Sequence, residues 1–293
     1  MKNRILAAGA AVLVLSGVAA QAEVLYAPNF NDFSRNLRLT QQDSWLTNDP
    51  YVASETAGET ALLQLITGYS DPVGSENWAM LGGFSLPDGQ EPGVFSPSAS
   101  RLFSNTVSAL NNTLRFEVDM AILSSTNGKR DEFSWVFKSA DQSTTFFRLG
   151  FIPLLDPQLA DFLDMRIYTA ANPAGFSSTA YFSYDSDARV TVDVNLADAV
   201  RDAVTVRVTD LQNVTETVFN NVTVPNNTAS GVQRIAAQWD IKDPAVDANQ
   251  NPSAYGTNAM IFDNYSVSAV PEPGTAALLL GGFALLGLRR KRA

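Results

Sequence analysis

From Thr113 to Leu123 the chain alternates without a break: Leu114, Phe116, Val118, Met120 and Ile122 fall on one side, Arg115, Glu117, Asp119 and Ala121 on the other. Successive side chains of an extended strand point to opposite faces, so a period of two describes a strand with one face in a core and one in water. That is the habit of an antiparallel sheet. The same alternation recurs at 132–139, 144–152, 164–170, 179–185, 189–196, 203–211, 216–224 and 259–270, with Gly, Asn, Asp and Pro turn signals between the runs. With 61–67, 80–86 and 232–241 added, about twelve strands are expected, against two helical candidates at 157–163 and 195–202. No repeat at propeller or solenoid spacing is visible. Many strands without repeats or crossover helices imply an all-β, two-sheet antiparallel β-sandwich, a jelly roll with about six strands per sheet, over residues 23–269.

Two absences narrow the chemistry. The chain has no cysteine and no histidine, which excludes disulfides, thiolate nucleophiles, imidazole bases and thiolate or imidazole metal sites. Carboxylate chemistry and oxygen-ligated hard cations stay open. The formal charge is −10 over the whole chain. Setting aside Lys2, Arg4, Glu272, Arg289, Arg290, Lys291 and Arg292 leaves 14 cations against 29 anions in residues 23–270. Such a surface repels nucleic acid and anionic lipid. Neither a phosphate-cradling glycine loop nor a basic patch interleaved with aromatics is present, so no nucleic-acid partner is expected.

The two ends have their own grammar. Lys2 and Arg4 precede an apolar stretch from Ile5 to Val18, and Ala20 and Ala22 supply a small-x-small cleavage pattern, so residues 1–22 are expected to be a helical signal peptide cut before Glu23. At the other end, residues 270–293 run from Pro271-Glu272-Pro273 through an apolar segment, Thr275 to Leu288, to Arg289, Arg290, Lys291 and Arg292. As a helix those 14 apolar residues rise roughly 21 Å, short of the ~30 Å hydrocarbon core, and Gly281 and Gly282 weaken it further. The segment suits a temporary stop in the inner membrane, its basic end cytoplasmic.

This three-part tail resembles the PEP-CTERM sorting signal of exported proteins in Gram-negative bacteria that make exopolysaccharide. The resemblance implies recognition and processing near Pro-Glu-Pro by an exosortase, with destination at the cell surface or extracellular matrix. Gly274-Thr275 departs from the Ser-Thr or Ala-Thr that often follows the triplet. The body resembles the concanavalin-like, laminin-G-like jelly roll in its strand order, carried by 133–152, the pair 189–196 and 203–211, and the closing strand 261–270.

Candidate sites follow from side chains at fixed strand positions. Glu117 and Asp119 share a strand face with Cα atoms ~6.7 Å apart and match the first two carboxylates of a motif in one jelly-roll glycosidase family. Retaining hydrolysis needs a second working carboxyl ~5.5 Å from the first, yet Ala121 or Ile122 occupies the position that should supply it. A polysaccharide-degrading glycoside hydrolase is therefore the alternative, and a domain without catalysis the main expectation. Sugar rings stack on aromatic faces and bond to polar side chains, which nominates Trp135, Arg166, Tyr168 and Tyr181 for ligand contact. Trp135 shares its face with Phe133 and Phe137, the pattern of a core stripe, whereas Tyr168 with Arg166 and Tyr181 with Ser183 and Asp185 make mixed faces. Asp32 and Asp263, near the two ends of the domain, leave room for a structural calcium and for no other cofactor. The function expected is that of an exported structural or carbohydrate-binding protein, with exopolysaccharide as partner.

Overall fold

Apolar alternation becomes layers once strands pair. The computed structural model describes residues 22–33, 43–47, 63–67, 77–82, 98–124, 131–154, 156–210, 212–240 and 259–271. They form β1 (Glu23–Tyr26), β2 (Leu46–Thr47), β3 (Leu63–Thr67), β4 (Asn77–Gly82), β5 (Ser98–Leu102), β6 (Thr113–Leu123), β7 (Glu132–Lys138) and β8 (Thr145–Pro153). After these come β9 (Phe162–Thr169), β10 (Asn172–Ser183), β11 (Ala188–Asn195), β12 (Arg201–Asp210), β13 (Thr215–Pro225), the one-turn helix α1 (Thr228–Gly231), β14 (Arg234–Asp240) and β15 (Ala259–Val270).

One sheet has eight strands in the order β13-β12-β11-β6-β15-β4-β3, with β1 also paired to β15. The other has seven, β10-β9-β8-β7-β14-β5-β2. Every pairing is antiparallel. The two-sheet antiparallel sandwich is thus the architecture the alternation implies. The expected N-terminal signal helix and C-terminal hydrophobic helix lie outside the described residues. Among the described residues no helix is long and apolar enough to cross a membrane.

The helical expectations resolve otherwise. Residues 157–159 make a single 3-10 turn, capped by Asp156 accepting from the Gln158 backbone N–H at 2.9 Å, and β9 begins three residues later. Residues 195–202 hold the end of β11, the turn 196–200 and the start of β12, and in that turn the Asp198 side chain accepts from Val200 N and Arg201 N. In both places a short polar side chain satisfies free backbone donors, so a cap exists without the apolar stripe a longer helix needs.

Between the sheets the inward halves of the alternating runs meet. Leu114, Phe116, Val118, Met120 and Ile122 of β6 face Phe133, Trp135 and Phe137 of β7. The Trp135 ring lies 5.0 Å from Phe116 and 5.1 Å from Phe262, and Phe137 stacks on Phe147 at 4.1 Å. Emptying such a position, as in Trp135→Ala, costs about 3–5 kcal/mol through lost burial and the cavity left behind. With the cores facing each other, the polar halves of each sheet point to opposite sides of the molecule.

Candidate functional site

On the outer face of the eight-stranded sheet the polar residues lock to one another. Arg189 of β11 sits opposite Asp119 of β6 and donates from Nε to Oδ1 and from Nη2 to Oδ2, both at 2.7 Å. A bulge in β15 places Asn264, at φ +47°, where its Nδ2 reaches Asp119 Oδ2 at 2.8 Å. Bulges commonly re-aim a side chain in this way. Glu117 accepts from Thr191 Oγ1 at 3.5 Å. Farther along, Asp193 takes Arg115 on both oxygens at 2.7 and 3.0 Å and Arg207 at 2.6 Å. Ala121, the position a third glycosidase carboxylate would occupy, is buried in an apolar cluster with Trp78 and Ile261. Asp263 is instead the acid beside Asp119, as its Cα partner on β15.

The outer face of the seven-stranded sheet is built on one arginine and one ring. Tyr168 of β9 pairs in register with Arg148 of β8, and the Arg148 guanidinium lies over the Tyr168 ring, 4.3 Å from its centroid. The same guanidinium reaches Glu132 Oε1 at 3.0 Å and Asp240 Oδ2 at 2.5 Å, two carboxylates that face each other across β7 and β14. Glu132 is only 1% exposed, so that contact stands in for water it has lost. Two glycines make room for the ring. A Cβ on Gly150 would meet Tyr168 Cε2 at 2.8 Å and Glu132 Oε1 at 2.9 Å; one on Gly175, at φ +81°, would meet the opposite ring edge at 3.0 Å. Tyr168 therefore lies in a slot between β8 and β10. Burial, with Glu132 nearby, raises its phenol to about 12, so the hydroxyl stays a neutral donor near pH 7. Arg166 flanks the slot and holds Asp164 at 2.7 Å.

Three of the four residues proposed for ligand contact therefore share this face. Arg166 and Tyr168 stand side by side on β9, and Tyr181 of β10 pairs with Asp164 of that strand. Tyr181 is half exposed and also borders a cavity of about 170 Å³ with Phe182, Val208, Asp210 and Glu216, between β10 and the β12–β13 hairpin. Trp135 is elsewhere: it lies between the sheets, donating from Nε1 to Met120 Sδ at 3.3 Å. Glu117 and Asp119 occupy the other outer face, so carboxylate pair and aromatic group point in opposite directions. Asp32 is exposed in the turn after β1, accepting from Asn29 Nδ2 at 3.1 Å, whereas Asp263 is buried on β15. Among the described residues no group of three or more acidic side chains is placed to hold a metal ion.

Glu132, Arg148, Gly150, Gly175 and Asp240 are site residues that the sequence does not single out by type. Gly150 left a trace, an isolated glycine inside an alternating strand, which signals close approach by a neighbour. The others become visible only through pairing across strands distant in sequence.

The C-terminal tail has a counterpart among known families. Residues 269–292 match the PEP-CTERM protein-sorting motif. That motif implies an exported, exosortase-sorted protein of the cell surface. Its first residues, Ala269 and Val270, still belong to β15 and Pro271 follows directly; Glu272, Pro273, Arg289, Arg290, Lys291 and Arg292 lie outside the described residues. No curated protein matches the chain. Among solved structures the chain is similar to basic winged bean lectin with Tn-antigen, at 11% identity and a TM-score of 0.45, over 84% of this chain and 99% of that one. It is similar as well to a GH131 β-glucanase catalytic domain from Podospora anserina, at 13% identity and a TM-score of 0.46, over 83% and 95%. A third is the CBM2 module of the evolved Dit of Lactobacillus casei BL23 phage J-1, at 10% identity and a TM-score of 0.46, over 85% and 96%.

Proposed function

We propose that the sandwich is a non-catalytic, carbohydrate-contacting domain delivered to the cell surface or matrix, and that it meets secreted polysaccharide through the outer face of the seven-stranded sheet. The observation that carries this is the glycine slot: Gly150 and Gly175 let a half-buried tyrosine lie between two strands with Arg148 over its ring. A flat aromatic body beside charged and neutral hydrogen-bonding groups is the combination a pyranose needs, apolar on its ring face and polar on its rim. The opposite outer face supports hydrolysis less well. Asp119 spends its oxygens on Arg189 and Asn264, and the position meant for the acid is the buried Ala121.

The test is binding of the purified protein to a glycan array and to the producer's own matrix, with Tyr168→Ala alongside. Retention that falls at least tenfold in the variant, with polymer length unchanged on incubation, supports the proposal. Shortening of the polymer, abolished by Glu117→Gln, would favour the hydrolase alternative. For the tail, mass spectrometry of secreted material is expected to show a C-terminus near Pro271; an intact Ala293 would count against exosortase processing.

A further inference from the structure

On the outer faces of both sheets the arginines, apart from the exposed Arg201 at 3.9 Å from Asp198, follow one rule with one exception. Arg115, Arg148, Arg166, Arg189 and Arg207 each have a carboxylate within 2.7 Å. Arg234 of β14 does not. Its Nε donates to the Ala140 carbonyl at 2.7 Å and its Nη1 to Ser100 Oγ at 3.4 Å, both uncharged partners, although the residue is only 7% exposed. Directly opposite it in the β7–β14 register is a second cation, Lys138, half-buried on the same face. Like charges at directly paired positions repel at Cβ separations of about 5 Å.

Among the described residues no carboxylate forms an ion pair with either side chain. Burial depresses both side chains, and the neighbour felt by Arg234 is another cation, Arg101. Asp240, the carboxylate that acts on Lys138, is held by Arg148 at 2.5 Å. Asp141, in the adjoining turn, accepts from Ser139 and Ser143. Scarcity of acid does not account for this, since the chain carries 30 acidic residues against 20 basic ones. A fold with carboxylates to spare sets a buried and a half-buried cation opposite each other at one place, on the face that holds the tyrosine slot.

We propose that Lys138 and Arg234 form a subsite for an oxyanion carried by the ligand, so that the polysaccharide met by this face is acidic, bearing uronate carboxylates or sulfate esters. The inference rests on the glycan reading of the same face. Lys138 and Arg234 lie next to Val136 and Ala236 along their strands, two residues and ~6.7 Å on from the row that contains Arg148 and Tyr168. A polymer running across this face with one sugar against Tyr168 would bring the acidic substituent of another of its residues to Lys138, where a charge-assisted bond would relieve the repulsion.

The test uses the full chain with three soluble polymers, polygalacturonate, dextran sulfate and neutral dextran, measured by calorimetry at about 50 and about 200 mM salt. An acidic polymer is expected to bind at least ~tenfold tighter than dextran and to weaken as salt rises. Lys138→Met should remove most of that preference and Lys138→Arg should restore it, with circular dichroism confirming that each variant folds. Arg234, which anchors the turn through Ala140, is left intact so that folding and binding stay separable. Preference for polygalacturonate over dextran sulfate assigns the carboxylate, and the reverse assigns the sulfate ester. Equal binding of dextran and the acidic polymers, or an unchanged preference in Lys138→Met, overturns the subsite while the glycan reading stands. Binding of no polymer overturns both.

Discussion

The two outer faces of the sandwich draw on the same residue types and end in different conditions. On the eight-stranded sheet, Asp119 is gripped by Arg189 and Asp193 by Arg115 and Arg207, all from adjoining strands, and Trp78, Ala121 and Ile261 make a fully buried apolar cluster beside them. On the seven-stranded sheet, a single arginine serves two buried carboxylates and a tyrosine, while Lys138 and Arg234 face each other with no ion pair to a carboxylate among the described residues. Charge on the first face is closed on itself, whereas on the second it is concentrated in one side chain and left over in another place. A face that has satisfied its own charges has little to offer a ligand.

That contrast can be broken, and the largest effect belongs to Arg148. Arg148→Met removes the one guanidinium that touches both Glu132 and Asp240, two carboxylates facing each other, and urea unfolding should show a loss of about 3–5 kcal/mol. Asp193→Ala on the other sheet should cost less, about 1–2 kcal/mol by the same measurement. The arginines it releases, Arg115 and Arg207, are about one-third exposed and can turn to water. Equal losses from the two variants would erase the distinction between the faces.

Gly150→Ala sharpens the comparison at about 1 kcal/mol, because a methyl group there presses on both Tyr168 and Glu132. Glycan retention should fall further than stability does, and retention at wild-type level would show that the slot is not the contact. A smaller effect concerns acid. The Asp141 carboxyl is held at about 2 by hydrogen bonds from Ser139 and Ser143, against an ordinary 3.8, so it stabilises the fold above pH 3.8 and that contribution fades as pH falls toward 2. In Asp141→Asn the melting temperature should depend less steeply on pH across that window. Smallest of all is chelation: EDTA is expected to shift the melting temperature by less than about 1 °C, and a drop of several degrees, lost in Asp263→Asn, would place a calcium at Asp263.

Much of the fold was legible because alternation fixes which side of a strand is apolar. Trp135 with Phe133 and Phe137, and Tyr168 with Arg166, fell on the faces their spacing assigns them. The strands that escaped notice were β1, β2 and β5; the last, Ser-Ala-Ser-Arg-Leu, carries too little apolar signal to stand out. Strand order is a different kind of information. Nothing local says that β14 inserts between β5 and β7, or that β15 lies beside β6, because those pairings join residues about a hundred positions or more apart. The charge partners of Arg148 inherit that silence: Glu132 and Asp240 become neighbours only when β14 is placed against β7.

The closing strand has a mechanical consequence. β15 is bonded to β6 along one side and to β4 and β1 along the other, and Glu23 at the start of β1 lies across from Ala269 near its end. Both ends of the domain thus leave at the same pole, one residue before the Pro-Glu-Pro triplet on the C-terminal side. A pull on that tail runs along the strand and loads its flanking ladders in shear, many bonds at once, instead of peeling them singly. Held there, the domain would resist being drawn out thread by thread, and its far pole would be free to swing.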